Sequence, residues 1–148
     1  MKFIADQTAY MDACGQSIDR PNKEQTELFL RRTIEELGET LVAANPSSAG
    51  EIRALIANLA PFAVLSSQTD RTELFCGLLE MIMTTAGAGI SAGLPMSAGW
   101  QEVMRSKHAK IDPDIGMVRR RGDGIIVNPD NWTPPNLAAL LDRNALSV

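Results

Sequence analysis

A chain of 148 residues and 16.0 kDa suits one domain over residues 1–148. Single domains commonly run to ~100–150 residues, and two half-length cores would each be marginal. Hydrophobic residues make up 45% and charged residues 22%, with mean hydropathy near zero, which is the balance of a soluble globular chain rather than a disordered one. The net charge of −4 and a pI near 5.0 leave no basic excess to neutralise a phosphate backbone, so neither nucleic acid nor an anionic membrane is expected as a partner. A small anionic ligand held through a metal stays open.

The longest apolar stretch, Gly77 to Leu94, is interrupted by Glu80, two threonines, a serine and four glycines, and falls short of the ~20 apolar residues that span a bilayer. The first nine residues include Lys2, Asp6 and Gln7 and show no apolar block before a cleavage site, so a cytoplasmic setting is expected. Cys14 and Cys76 lie far apart without a Cys-x-x-Cys spacing and read as free thiols.

In chain order, Phe3, Ala5, Met11 and Cys14 predict a first helix within Phe3 to Ile18, ending near Gly15. Pro21 and Asn22 open a second, with Leu30, Ile34, Leu37 and Leu41 as its buried stripe. It ends before Asn45-Pro46-Ser47-Ser48, where proline and Ser/Asn favour a break and a new cap. Ala49 to Leu65 predicts a third helix that Pro61 kinks or divides. A fourth runs from about Asp70 to Ala92, with Leu74, Phe75, Leu78, Leu79 and Ile82 on its apolar face. Met96 to Lys107 predicts a fifth, and Asn136 to Asp142 a brief sixth. Between these two, Met117-Val-Arg-Arg-Arg, Gly122-Asp123-Gly124 and Ile125-Ile-Val predict a hairpin-like excursion. The fold class is therefore all-α, a helical bundle with a short hairpin near the C-terminus.

Chemistry concentrates in acids. Glu35, Glu36 and Glu39 form an E-E-x-x-E cluster on the second helix, roughly opposite its Leu30/Ile34/Leu37/Leu41 stripe. A solvated acidic face is the ordinary alternative. On the fourth helix Glu73 and Glu80 are two turns apart, with Cys76, Gly77, Thr84 and Gly87 beside them. These small neighbours admit a close-packed helix, so the two acids are expected to face inward, where a buried carboxylate needs a partner such as a divalent cation. If the two acidic sets face one another, they surround a cavity suited to Mg²⁺ or Mn²⁺ and a phosphate substrate.

The order of E-E-x-x-E, two carboxylates on a later helix, Arg105-Ser-Lys-His-Ala-Lys110, Asp123-Gly124 and Pro129-Asp-Asn-Trp132-Thr-Pro-Pro135 resembles the MazG-like all-α nucleoside triphosphate pyrophosphohydrolases. The resemblance covers about Ala9 to Leu141 and is nearest to the short phage-type and dUTPase-like single-domain members. It implies cleavage of an NTP or dNTP between the α- and β-phosphates, two or three Mg²⁺ or Mn²⁺ ions per site, and a homodimer or homotetramer. A purine deoxynucleotide such as dGTP is the expected substrate, with dUTP, dCTP or a damaged nucleotide still open.

Glu35, Glu36 and Glu39 match the family's first metal motif, and Glu36 or Glu39 is the expected proton acceptor. The second motif, usually E-x-x-D, departs. One register starts at Glu73 and puts Cys76 at the aspartate. The other, preferred here, gives Glu80 the aspartate position with Gly77 where the glutamate would stand, and Glu73 reaching in from one turn further. The metal ligands implied are thus Glu35, Glu36, Glu39, Glu73 and Glu80. Relatives also carry Ser-Asn-x-x-Lys and Asp-Gly-Lys-x-x-Lys, whereas this chain has Lys107 for the asparagine and Ile125 and Asn128 for two lysines. Lys107, Lys110, Arg119, Arg120 and Arg121 are the expected phosphate-binding cations, a solvated turn being the alternative for the three arginines. Cys76, Ile125 and Asn128 also motivate a rival reading, a nucleotide-binding or interaction module without turnover, and a purely structural helical adaptor is a third.

Other features are set aside. Gly87 to Gly93 lacks the Gly-Lys-Ser/Thr that a phosphate loop needs. His108 is the only histidine, and no triad order accompanies Ser106. Trp100 is expected to pack on a helix face, and Trp132 to pin the C-terminal tail on the bundle rather than stack a base.

Overall fold

The computed structural model describes residues 2–141. It is all-α, with 64% helix and 4% strand, and its backbone divides into two compact units: residues 19–70, and residues 1–18 joined with 71–148.

The central unit is a helical hairpin. Asn22 caps α2 (Lys23–Ala44), its side-chain oxygen accepting from the Gln25 N–H at 3.0 Å, which satisfies one of the donors that a helix start leaves unpaired. The helix stops where Asn45 returns its N–H to Leu41 O at 2.9 Å ahead of Pro46. A 3₁₀ turn at Pro46–Ser48 leads into α3 (Ala49–Leu59), and Pro61 divides the predicted third helix, leaving a second 3₁₀ turn at Ala60–Phe62. The Glu27 carboxylate accepts the Leu65 N–H at 2.8 Å, tying the segment after this turn back to α2.

The face that α2 presents to α3 differs from the predicted stripe. Leu37 and Leu41 are 49% and 43% exposed, whereas Gly38 is buried, and a β-carbon there would meet Ile56 Cγ1 at 2.7 Å. Hydrophobicity alone favours the leucine stripe. Close approach favours the row through Ile34, Gly38 and Val42, because only glycine leaves room for the Ile56 side chain.

In the second unit α1 (Lys2–Ala13) lies against α5 (Met96–His108). Phe3 meets Trp100 edge to face at 5.8 Å, and the Trp100 indole N–H donates to Asp6 at 3.0 Å, so the packing role expected of Trp100 is what the structure shows. α4 (Arg71–Ser91) precedes α5 and ends at Gly93, whose φ of +69° lets the chain reverse while Leu94 N–H bonds to Gly89 O at 3.0 Å.

After α5, strands β1 (Ile111–Asp112) and β2 (Met117–Val118) pair antiparallel with Ile111 opposite Val118. The excursion predicted around Gly122-Asp123-Gly124 survives as one bridge, Arg120 opposite Ile126. The last described helix, α6, covers Ala138–Leu141, and Asp142 of the predicted sixth helix lies outside the described residues. Among the described residues, those buried in this unit are Ala13, Cys14, Gly89, Met104, Ser106 and Val118. Both cysteines are free thiols, Cys14 buried and Cys76 exposed.

Candidate functional site

The spacing that puts Gly38 against α3 also aims two acids at the groove beside it. Glu35 lies one turn before Glu39, and both line a cavity of about 610 Å³ between α2 and α3, with Ile34 and Gly38 on the same wall and Arg53 and Ile56 on the other. Glu35 pairs with Arg32 at 2.9 Å. The side chains of Glu39 and Arg53 make no hydrogen bond or ion pair among the described residues. The cavity thus offers two carboxylates and a guanidinium over an apolar floor, a pattern that suits a phosphorylated ligand and its counter-cation. Glu36 is exposed and does not line this cavity.

Sequence reasoning missed Arg53. Its signal is positional: Arg53, Ile56, Ala57 and Ala60 all line the cavity and recur at helical spacing, so a single cation sits in α3's packed row.

Glu73 and Glu80 belong to the other unit, and both occupy exposed positions on α4, not the inward positions expected from their small neighbours. Cys76 and Gly77 are exposed as well. Among the described residues no group of three or more His, Cys, Asp or Glu side chains is placed to hold a metal ion. Of the five expected ligands, Glu35 and Glu39 share the wall of this cavity.

The five cations expected to bind phosphate are all engaged within the chain. Lys107 sits over the Tyr10 ring at 5.2 Å and Lys110 over the Trp132 ring at 4.6 Å. Arg119 pairs with Asp112, and Arg121 with Asp123 at 2.8 Å. Arg120 donates to Gly124 O at 2.7 Å and to Cys14 O at 3.1 Å, stitching the hairpin to the end of α1. Asp112 and Asp123 are both held below the ordinary carboxylate range, chiefly by backbone N–H groups of Asp114 and Ile125 and then by their arginines. Burial and the neighbouring Cys14 push the Tyr10 phenol up to about 12.

Residues 129–136 are docked on α5. The Trp132 indole N–H donates to Ser106 O at 2.8 Å, and the Ser106 hydroxyl to Thr133 O at 2.9 Å, so Trp132 does pin the tail. Arg105 donates to Thr133 Oγ1 and Pro134 O, both at 3.2 Å, and holds Glu102 by two bonds of 2.8 Å. Glu102 also accepts the Asn136 N–H at 2.8 Å. The Arg105 bond, then the Asn136 bond, lower Glu102 from 4.5 to about 2. A carboxyl whose pKa falls on folding adds stability that is complete above its unfolded value and lost as pH drops through its folded one. Urea midpoints of the native chain are therefore expected to fall between pH 4.5 and 2 more steeply than those of Glu102→Gln, and parallel curves would show that the contact contributes nothing.

By length and composition α4 is able to cross a membrane, with mean hydropathy 1.5 over an 18-residue window. The helix begins six residues before the stretch counted from sequence and takes in Leu74 and Phe75 while excluding Gly93. Compared with protein-family models, curated proteins and solved structures, the chain matches none.

Proposed function

We propose that this chain is a metal-dependent nucleoside triphosphate pyrophosphohydrolase of the MazG-like kind. It would cleave a (d)NTP between the α- and β-phosphates to the monophosphate and pyrophosphate, with a purine deoxynucleotide such as dGTP as substrate and a homodimer or homotetramer as the working form. One observation carries the reading: Glu35, Glu39 and Arg53 line a single cavity between α2 and α3, whose volume falls in the ~300–1,000 Å³ range of small-molecule sites. Sequence order supports it through the E-E-x-x-E cluster.

In this reading Glu35 and Glu39 hold Mg²⁺ or Mn²⁺, which when bound lowers the pKa of a coordinated water and offsets phosphate charge. Whichever of Glu36 and Glu39 is not committed to the metal would accept the proton of the water that attacks the α-phosphorus as pyrophosphate leaves. Arg53 grips a phosphate through its planar fork. Glu36, Glu73 and Glu80 are assigned as further ligands on sequence grounds alone.

The partners that Lys107, Lys110, Arg119, Arg120 and Arg121 have within the chain favour a second reading, a nucleotide-binding module without turnover. A panel of the canonical dNTPs and NTPs with Mg²⁺ and Mn²⁺, scored for monophosphate and pyrophosphate, separates the two. Turnover of at least one substrate is expected. Thermal stabilisation by nucleotide and metal without product would transfer support to the second reading, and neither response would remove both.

A further inference from the structure

The two acids that line the α2–α3 cavity are held differently. Glu35 accepts from the Arg32 guanidinium at 2.9 Å, through one nitrogen, whereas the Glu39 side chain has no hydrogen bond or ion pair among the described residues. Arg32 and Glu35 stand three residues apart on α2, and their side chains are 66% and 53% exposed. An exposed pair of this kind contributes little, and a basic residue that precedes its acid along a helix is in the less favourable order. The contact is a weak latch.

Charge decides what releases it. Glu35, Glu39, Arg53 and Arg32 sum to zero around the cavity, and their α2 neighbours Arg31 and Glu36 cancel one another. A divalent ion carries twice the charge of a guanidinium and meets a carboxylate oxygen at ~2.0–2.1 Å, against 2.9 Å for the Arg32 bond. At equal screening it attracts Glu35 about threefold more strongly, and its charge then repels the guanidinium. Arg32 has a second partner close at hand. Its side chain already reaches Glu35, so a phosphate sharing an ion with that carboxylate lies within reach of the same guanidinium.

We propose that Arg32 is a two-position residue of this site: it neutralises Glu35 until a divalent cation takes the carboxylate, then turns to a phosphate oxygen of the ligand that the cation carries. Arg32 thereby adds a second guanidinium to that of Arg53, and the planar fork of each suits phosphate. Binding gains an order, because the anion meets its full set of cations only after the metal has arrived. This role of Arg32 rests on the metal-dependent reading of the cavity given above.

One substitution is expected to move two affinities in opposite directions. Arg32→Gln removes the competitor for Glu35, so Mn²⁺, followed by electron paramagnetic resonance of the full chain, is expected to bind up to about fivefold more tightly. The same substitution removes a charge-assisted bond, so inorganic triphosphate, titrated calorimetrically at saturating Mn²⁺, is expected to bind about tenfold more weakly. Arg32→Lys keeps the charge without the fork, and is expected to restore the native Mn²⁺ affinity but only part of the triphosphate affinity. Lys23→Gln removes the same net charge from the first turn of α2 and is expected to change neither. Arg32 is exposed, so helical circular dichroism should be retained throughout. If the native chain binds Mn²⁺ but the two affinities shift together, stay still, or shift equally in Lys23→Gln, Arg32 has no such role and the metal site stands without it. A native chain that binds no Mn²⁺ would overturn both the role of Arg32 and the metal-dependent reading.

Discussion

Glu39→Gln is expected to lower metal-dependent pyrophosphate release by on the order of 100- to 1,000-fold, the scale of losing a positioned base or metal-bound carboxylate. Its thermal midpoint should stay where it is. Glu39 is exposed, lines the α2–α3 cavity, and holds no partner whose loss would be felt in folding. Glutamine keeps the length of the side chain and its helix propensity while removing charge and basicity, so a rate loss without a stability loss assigns the chemistry to the carboxylate. Glu35→Gln differs, because it also releases Arg32 from a 2.9 Å ion pair. Surface pairs of this kind contribute little, about 0–1 kcal/mol, so any larger deficit in Glu35→Gln would again be chemical. Undiminished release by both Glu36→Gln and Glu39→Gln would remove these two acids from the mechanism.

The largest stability effect is expected at Trp132. Its ring lies under the Lys110 ammonium at 4.6 Å, and its N–H reaches Ser106 O at 2.8 Å beside the buried Ser106 hydroxyl. Trp132→Ala is expected to cost about 2–3 kcal/mol, below the ~3–5 kcal/mol of a fully buried aromatic because the ring is only half-buried. Trp132→Phe retains most of the apolar contact and forfeits the indole hydrogen bond, for about 1 kcal/mol. Urea midpoints measure both losses. Amide exchange supplies the local check: protection at Asn136, whose N–H is held by Glu102, should fall with Trp132→Ala before protection inside α2 does. Equal midpoints for the native chain and Trp132→Ala would show that the 129–136 segment rests on α5 without stabilising it.

Much of the helix layout was legible residue by residue. Asn22 as a cap, Asn45-Pro46 as a stop and Pro61 as a divider each act on backbone groups within four residues of themselves, so their effect is written locally. The acidic cluster was legible for the same reason, since Glu35 and Glu39 one turn apart must share a side of α2. Its companion was not. Arg53 comes to the same cavity only because Gly38 lets Ile56 approach, and no periodicity within either helix states that meeting. The basic residues make a complementary case. Lys107, Lys110 and Arg120 meet an aromatic ring or a carbonyl of a distant segment only once the chain is folded, whereas Arg119 and Arg121 pair at exposed positions with acids of their own hairpin and turn.

The amino-acid order by itself determined the all-α class, where the helices start and stop, and which acids travel together, because capping, proline geometry and helical spacing are short-range. Only the tertiary structure decided which face of α2 meets α3 and which cations find partners within the chain. Those outcomes depend on shape between segments distant along the chain: a missing β-carbon at Gly38 outweighs two leucines, and an apolar face is covered only where a second surface has the room and form to receive it.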